Sequence, residues 1–275
     1  GEFLDNVTVQ SQSDQRGYVL VAPLGLGREE PGNRLSSWSF QGSTTGLDGD
    51  GLNAAVSGDT NAICDDDRTP DYTYPSCGGI AQNGCSWTQC SVDDVAFSAA
   101  LVQKVSANVC IDSDRVYAVG GSNGGMFVWD LGRDERSAEV FRAVAPILGL
   151  PHRGYLDPPV SESGMPVISI TGSRDRTVPP GEWRQDTFTT TSDGDVYYYS
   201  SASAITKVWA EAHGCDATVP AEPVDIGSSS MECRGWSYCL SDSQWPPVMD
   251  CRGNMGHVYN LSSSWPLSLD FFEQL

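Results

Sequence analysis

Ser122 stands at the centre of Gly120-Gly-Ser-Asn-Gly124, after the apolar run Val116-Tyr-Ala-Val119 and before Met126-Phe-Val-Trp-Asp-Leu131. A serine hydroxyl is a poor nucleophile at its own pKa, so one that attacks must be exposed, unhindered and beside a base. A G-x-S-x-G turn between a buried strand and a helix meets those needs. Gly120 and Gly124 leave room for a strained turn, and the backbone N–H of Asn123 points to where an oxyanion would form. The flanks fit, since residues 116–119 suit a buried parallel strand and residues 126–131 can continue as a helix. On the pentapeptide alone, a plain glycine-rich loop around a serine is the competing reading, so the partners decide.

The base must come from three histidines, His152, His213 and His257. His257 occupies the glycine-flanked loop Gly253-Asn-Met-Gly-His-Val-Tyr259 late in the chain, where the third member of a Ser…Asp…His order belongs. His213 precedes Gly214 at an expected helix end, where an imidazole serves as a cap, and His152 precedes Arg153 in a loop. The histidine needs a carboxylate to fix its tautomer and stabilise the imidazolium. Asp175 follows the apolar run Pro166-Val-Ile-Ser-Ile-Thr171, in Gly172-Ser-Arg-Asp-Arg-Thr-Val178, at the carboxyl end of a strand where parallel sheets collect their chemistry. Asp193, Asp195, Asp216 and Asp225 compete by position but follow no apolar strand. The expected set is Ser122 as nucleophile, His257 as base, Asp175 as the acid and Asn123 as an oxyanion donor.

Such residues need a sheet to hold them. Gly17-Tyr-Val-Leu-Val-Ala-Pro23 reads as a strand stopped by proline, and residues 24–60 as a glycine-rich polar loop that continues to about residue 90. Val95, Leu101, Val102 and Val105 recur at helical intervals over residues 91–105, with acidic side chains at the start where the helix dipole favours them. Residues 143–148 and 166–171 are short apolar strands. Residues 205–213 form a helix ended by Gly214, the stretch to residue 250 is loop-rich and held by cysteines, and residues 267–275 close the chain as a helix. The alternation implies an α/β fold with a mostly parallel sheet. Residues 1–275 suit a single domain, with a Cys-rich insertion near 41–90 and a second Cys-rich segment near 214–252.

The 36 acidic against 16 basic side chains give a formal charge of −20, which disfavours nucleic acid and anionic membranes as partners. No apolar run approaches a membrane span, and no signal peptide opens the sequence, so a secreted protein would have lost it. Nine cysteines, clustered as Cys64, Cys77, Cys85, Cys90 and as Cys215, Cys233, Cys239, Cys251, point to disulfides in an oxidising, extracellular setting. Irregular spacing without a C-x-x-C pair argues against zinc. The odd total leaves at least one thiol unpaired within the chain; Cys110 is either a buried free thiol or paired with a clustered cysteine. The acidic stretches at 48–53 and 65–67 invite a calcium reading, but they miss the EF-hand spacing and read as solvated loop. No metal is expected. Asn6-Val-Thr8 and Asn260-Leu-Ser262 fit the glycosylation pattern. Trp38, Trp183, Trp236 and Trp245, in expected loops, are either packing anchors or a stacking platform for a phenolic acyl group or a sugar.

Taken together, Val92-Asp-Asp-Val-Ala-Phe97, Cys110-Ile-Asp-Ser-Asp-Arg-Val-Tyr-Ala-Val-Gly-Gly-Ser-Asn-Gly-Gly-Met126, Gly172-Ser-Arg-Asp-Arg-Thr-Val178 and Gly256-His257 resemble secreted α/β-hydrolases of the feruloyl esterase and poly(3-hydroxybutyrate) depolymerase group. The resemblance covers most of the chain in order. It implies an α/β-hydrolase fold, Ser122, Asp175 and His257 as a triad, no cofactor, and hydrolysis of aryl (feruloyl-type), short-chain or polyester carboxylic esters through an acyl-enzyme. It also implies a strand upstream of residues 17–23 ending in a His-Gly turn that donates the second oxyanion N–H. The expectation is that this chain lacks its N-terminal strands, Gly1-Glu-Phe3 being a cloning remnant, or that another loop takes the donor's place. Loss of one donor costs roughly 10² to 10³ in rate. A non-catalytic carbohydrate- or polymer-binding module on a hydrolase scaffold, or a serine peptidase, is the alternative function.

Overall fold

The computed structural model describes residues 3–25, 27–30, 33–40, 63–64, 93–160, 164–192, 194–227, 229–236, 239 and 245–275. In chain order its elements are α1 (Val7–Gln15), β1 (Gly27–Glu30), β2 (Asn33–Ser36), α2 (Asp94–Ser106), β3 (Tyr117–Gly121), α3 (Asn123–Arg133), α4 (Glu135–Ala138), β4 (Ala143–Ile147), β5 (Val167–Gly172), β6 (Phe188–Thr190), β7 (Tyr198–Ser200), α5 (Ala202–Ala212), β8 (Glu222–Val224), β9 (Met231–Gly235), β10 (Val248–Gly253) and α6 (Leu261–Phe272). This is an α/β protein. Its six-stranded sheet has the order β3-β4-β5-β10-β9-β8, with β3, β4, β5 and β10 parallel and β9 and β8 antiparallel.

Strand alternation divides the core into two layers. Val144, Val167 and Val248 face α2, α3 and α5, where Trp129 and Trp209 meet edge to face at 4.8 Å. Ala143, Ala145, Ile147, Ile168, Ile170, Met249 and Cys251 face α6 and Val9 of α1. Local chemistry sets the helix ends. Asp93 accepts the Ala96 N–H at 2.9 Å to cap α2, and Gly214, at φ +66, takes the left-handed conformation just past α5. Asn6, the first sequon asparagine, caps α1 by accepting from the Thr8 and Val9 N–H groups.

Several expectations need correction. Residues 17–23 form no strand: Val19 and Val21 are 54% and 48% exposed, and a cavity of about 920 Å³ separates this stretch from β3. Apolar alternation makes a strand only where a neighbouring backbone completes the ladder, and none flanks β3 on that side among the described residues. The loop expected over residues 24–60 contains the hairpin of β1 and β2. The final helix begins at Leu261, six residues early, with Pro266 inside it. The segment near 214–252 carries β8, β9 and most of β10 between its loops, and it is tied by Cys215–Cys239 and Cys233–Cys251. Those four sulfurs are therefore not metal ligands. Cys64 is also disulfide-bonded, whereas Cys110 is free and exposed, not buried. The acidic stretches at 48–53 and 65–67, Cys77, Cys85 and Cys90, and most of the insertion near 41–90 lie outside the described residues.

Strand β10 hid behind its charges. Asp250 and Arg252 point to the α5 side and pair at 2.8 Å with almost no solvent exposure. Arg252 also donates to Gly181 O at 2.5 Å and to Ser203 Oγ at 3.0 Å. Burial pushes the Asp250 carboxyl up in pKa, against the pull of Arg252. Removing one partner leaves the other charge buried and uncompensated. Asp250→Ala is expected to lower stability by about 3–5 kcal/mol, read as a shift in the urea denaturation midpoint at unchanged m-value; a shift no larger than that of a surface Asp→Ala variant would contradict this account of β10.

Candidate active site

The turn at Ser122 is strained. Ser122 sits at φ +53, ψ −117 between β3 and α3, a conformation that costs a side-chain-bearing residue energy and persists only where its surroundings impose it. Its N–H donates to Ile147 O at 2.8 Å, and its carbonyl accepts from the Met126 N–H at 2.9 Å, so neighbouring strand and helix hold the backbone from both sides. Gly120 is the glycine the turn cannot lose: a Cβ there would stand 2.1 Å from Gly124 O. Gly124 is different, because a Cβ there would meet nothing closer than the Trp38 indole at 3.6 Å. The Asn123 N–H is at the first position of α3, where no intrahelical acceptor exists and the helix dipole is positive.

Strands β5 and β10 bring in the other two residues. They run parallel and in register to their ends, Gly172 opposite Gly253. Beyond those ends the two loops are stitched together by Ser173 N–H to Gly253 O at 2.9 Å and Arg174 N–H to Met255 O at 3.0 Å. This places Asp175 and His257 side by side. His257 Nδ1 is 2.7 Å from Asp175 Oδ2, and His257 Nε2 is 2.9 Å from Ser122 Oγ. Asp175 is buried; its Oδ1 accepts from the Thr177 and Val178 N–H groups at 2.8 and 2.9 Å. With those bonds fixing the carboxylate, Nδ1–H donates to Oδ2, which leaves the Nε2 lone pair for the Ser122 hydroxyl proton. The His257 side chain keeps 26% of its surface exposed, so the serine end of the chain opens to solvent while the aspartate end does not.

The four residues expected from sequence therefore meet, and the competitors do not join them. His152 is fully buried, stacked against Phe40 and Tyr199 and tilted against Tyr197, with Nδ1 3.3 Å from Tyr198 O. His213 is the C-cap of α5, as read from sequence. Asp216 and Asp225 accept backbone N–H groups within their own turns, Asp195 is absent from the partners of His257, and Asp193 lies outside the described residues. Sequence reasoning did not find that Asn123 Oδ1 is committed: it accepts the backbone N–H of Trp38 at 2.7 Å. It also did not find that buried Asp94 accepts the Ser39 N–H at 2.6 Å. Both contacts join residues far apart in the chain, so local pattern carried no signal for them.

The large cavity beside β3 ends at this turn, where Gly121, Ser122, Asn123, Trp38, Phe127 and Tyr259 line it. Among the described residues no group of three or more His, Cys, Asp or Glu side chains could hold a metal ion. Scanning against protein-family models and searching the curated proteins returned no match.

Burial lowers the His152 pKa from 6.5 to about 3. The unfolded chain then binds this proton more readily than the folded one, so the contribution is present above about pH 6.5 and is lost as pH falls towards 3. The melting temperature of His152→Phe should fall less steeply than that of the wild type between pH 6.5 and 4. Parallel slopes would mean that His152 does not carry acid sensitivity.

Proposed function

We propose that the protein is a serine carboxylester hydrolase working through an acyl-enzyme. The observation that carries this reading is the continuous hydrogen-bonded chain Ser122–His257–Asp175 at the end of a strained strand-to-helix turn. In the proposed reaction Ser122 Oγ attacks the ester carbonyl as His257 Nε2 takes its proton. Asp175 holds the imidazole in the required tautomer and stabilises the imidazolium. Asn123 N–H donates to the oxyanion of the tetrahedral intermediate. His257 then protonates the leaving alcohol, and a water activated by the same nitrogen releases the acid. No cofactor enters this scheme.

The fold proposed is that of the α/β-hydrolases, on the strength of the parallel strands β3, β4, β5 and β10 with helices on both sides and the Ser-Asp-His order along the chain. The substrates proposed are aryl, short-chain or polyester carboxylic esters, following the resemblance drawn from sequence. Secretion is supported by the disulfides Cys215–Cys239 and Cys233–Cys251. No helix among the described residues is long and apolar enough to cross a membrane. The acidic surface argues against nucleic acid as a partner.

Ser122→Ala and His257→Ala should each lower kcat/KM for p-nitrophenyl acetate by about 10⁴-fold or more, and Asp175→Asn by a comparable factor, with the circular dichroism spectrum unchanged. A fluorophosphonate should label the wild type stoichiometrically at Ser122. Turnover undiminished in Ser122→Ala removes that residue from the mechanism, and a wild type that neither turns over nor labels leaves the binding-module alternative standing.

A further inference from the structure

The indole N–H groups sort the tryptophans. Trp129, Trp209, Trp236 and Trp265 are buried and donate to Gly149 O, Asp157 O, Val219 O and Ser13 Oγ at 3.0, 3.2, 3.0 and 3.0 Å, as packing anchors do. Trp38 is half-buried, and its Nε1 donates to no described residue. Its ring lies nearly parallel to two others: Phe127 in the core, at 5.2 Å and 11°, and Phe97 at the surface, 44% exposed, at 6.4 Å and 24°. The three rings make an aromatic ramp from core to solvent.

This ramp reaches the first turn of α3, just past the nucleophile. Cδ1 and Nε1 of Trp38 are the indole atoms nearest Gly124, two residues past Ser122, and Trp38 shares the lining of the cavity with Ser122, Asn123 and Phe127. Two side chains fix the segment. Asn123 Oδ1 accepts the backbone N–H of Trp38, which ties this stretch of backbone to the residue that offers the oxyanion donor, and Asp94 Oδ2, at the start of α2, accepts the backbone N–H of Ser39. With its backbone held and its ring stacked on Phe127, Trp38 loses little conformational freedom on binding.

We propose that Trp38 determines acyl specificity, as the wall on which a flat, conjugated aromatic acyl group stacks while its carbonyl is held at Ser122, with Nε1–H as donor to a substrate oxygen. Aromatic rings gain from offset or edge contact with an indole beyond the area they bury, whereas an acetyl group is too small to use it. The turnover part of this inference rests on the esterase reading; the binding part does not.

The test compares kcat/KM for methyl cinnamate and for p-nitrophenyl acetate in the wild type, Trp38→Ala and Trp38→Phe, with the fluorophosphonate labelling rate of Ser122 as the measure of an intact nucleophile. In Trp38→Ala the loss on cinnamate should exceed the loss on acetate by about tenfold, and Trp38→Phe should recover most of the difference. Equal losses on both esters, with or without slower labelling, overturn the proposal. A wild type that hydrolyses neither ester defeats the esterase reading; the equilibrium binding of cinnamate, followed calorimetrically, then decides for Trp38. Binding weakened in Trp38→Ala and restored in Trp38→Phe supports the assignment, and absent binding or equal affinity in all three proteins refutes it.

Discussion

The in-register parallel pairing of β5 with β10 is the constraint on which the site depends. Asp175 lies three residues beyond Gly172 and His257 four beyond Gly253, and those two glycines face each other at the strand ends. A slip of one residue would move one loop by about 3.3 Å and turn every β10 side chain to the opposite face. The 2.7 Å contact between His257 and Asp175 would not survive it. Two devices oppose such a slip. Cys233 and Cys251 are direct partners across β9 and β10 and are joined by a disulfide, so β10 is covalently indexed to its other neighbour. On the opposite face Arg252 reaches the Gly181 carbonyl, which ties β10 to the loop that leaves Asp175.

The polar cluster around Arg252 thus does for the loop what the apolar core does for the strands. Asp250 and Ser203 hold its guanidinium, and Trp183 covers it at 3.8 Å while also covering Arg234 at 4.5 Å. An ion pair in such a place contributes little net stability against a well-packed apolar alternative, yet it fixes direction, since a guanidinium donates only along its plane. Leucine at position 252 could fill the volume but could not hold the Gly181 carbonyl. The site therefore stands on an apolar layer against α6 and, on the α5 side, on a layer whose apolar packing gives way to the Asp250–Arg252 cluster towards the end of β10.

What the sequence disclosed follows from what is local. The strained turn at Ser122 and the loops bearing Asp175 and His257 are punctuated by glycine, and the first two follow apolar strands, so pattern and position sufficed. Strand β10 was illegible because Asp250 and Arg252 interrupt its apolar pattern, and their compatibility with the core depends on a pairing visible only in three dimensions. Residues 17–23 erred the other way: alternating Val19, Val21 and their neighbours look like a strand, but strand formation is a property of two backbones. The α6 boundary was displaced because Pro266 reads as a breaker, although a helix tolerates it where the freed carbonyl has another way to be satisfied. The fastening of Trp38 by Asn123 spans 85 residues, and no periodicity reports a contact of that kind.

Strand β3 pairs with β4 on one side and borders the large cavity on the other. In a parallel sheet alternate backbone amides point to opposite neighbours, so half of those in β3 face a space wide enough for water. The strand that ends in Ser122 is then protected from hydrogen exchange along one edge alone, while β5, paired on both sides and buried at every position, is shielded throughout. The sheet would lose its labels from the β3 side inward, and the strained residue Ser122 would be attached to its least shielded parallel strand.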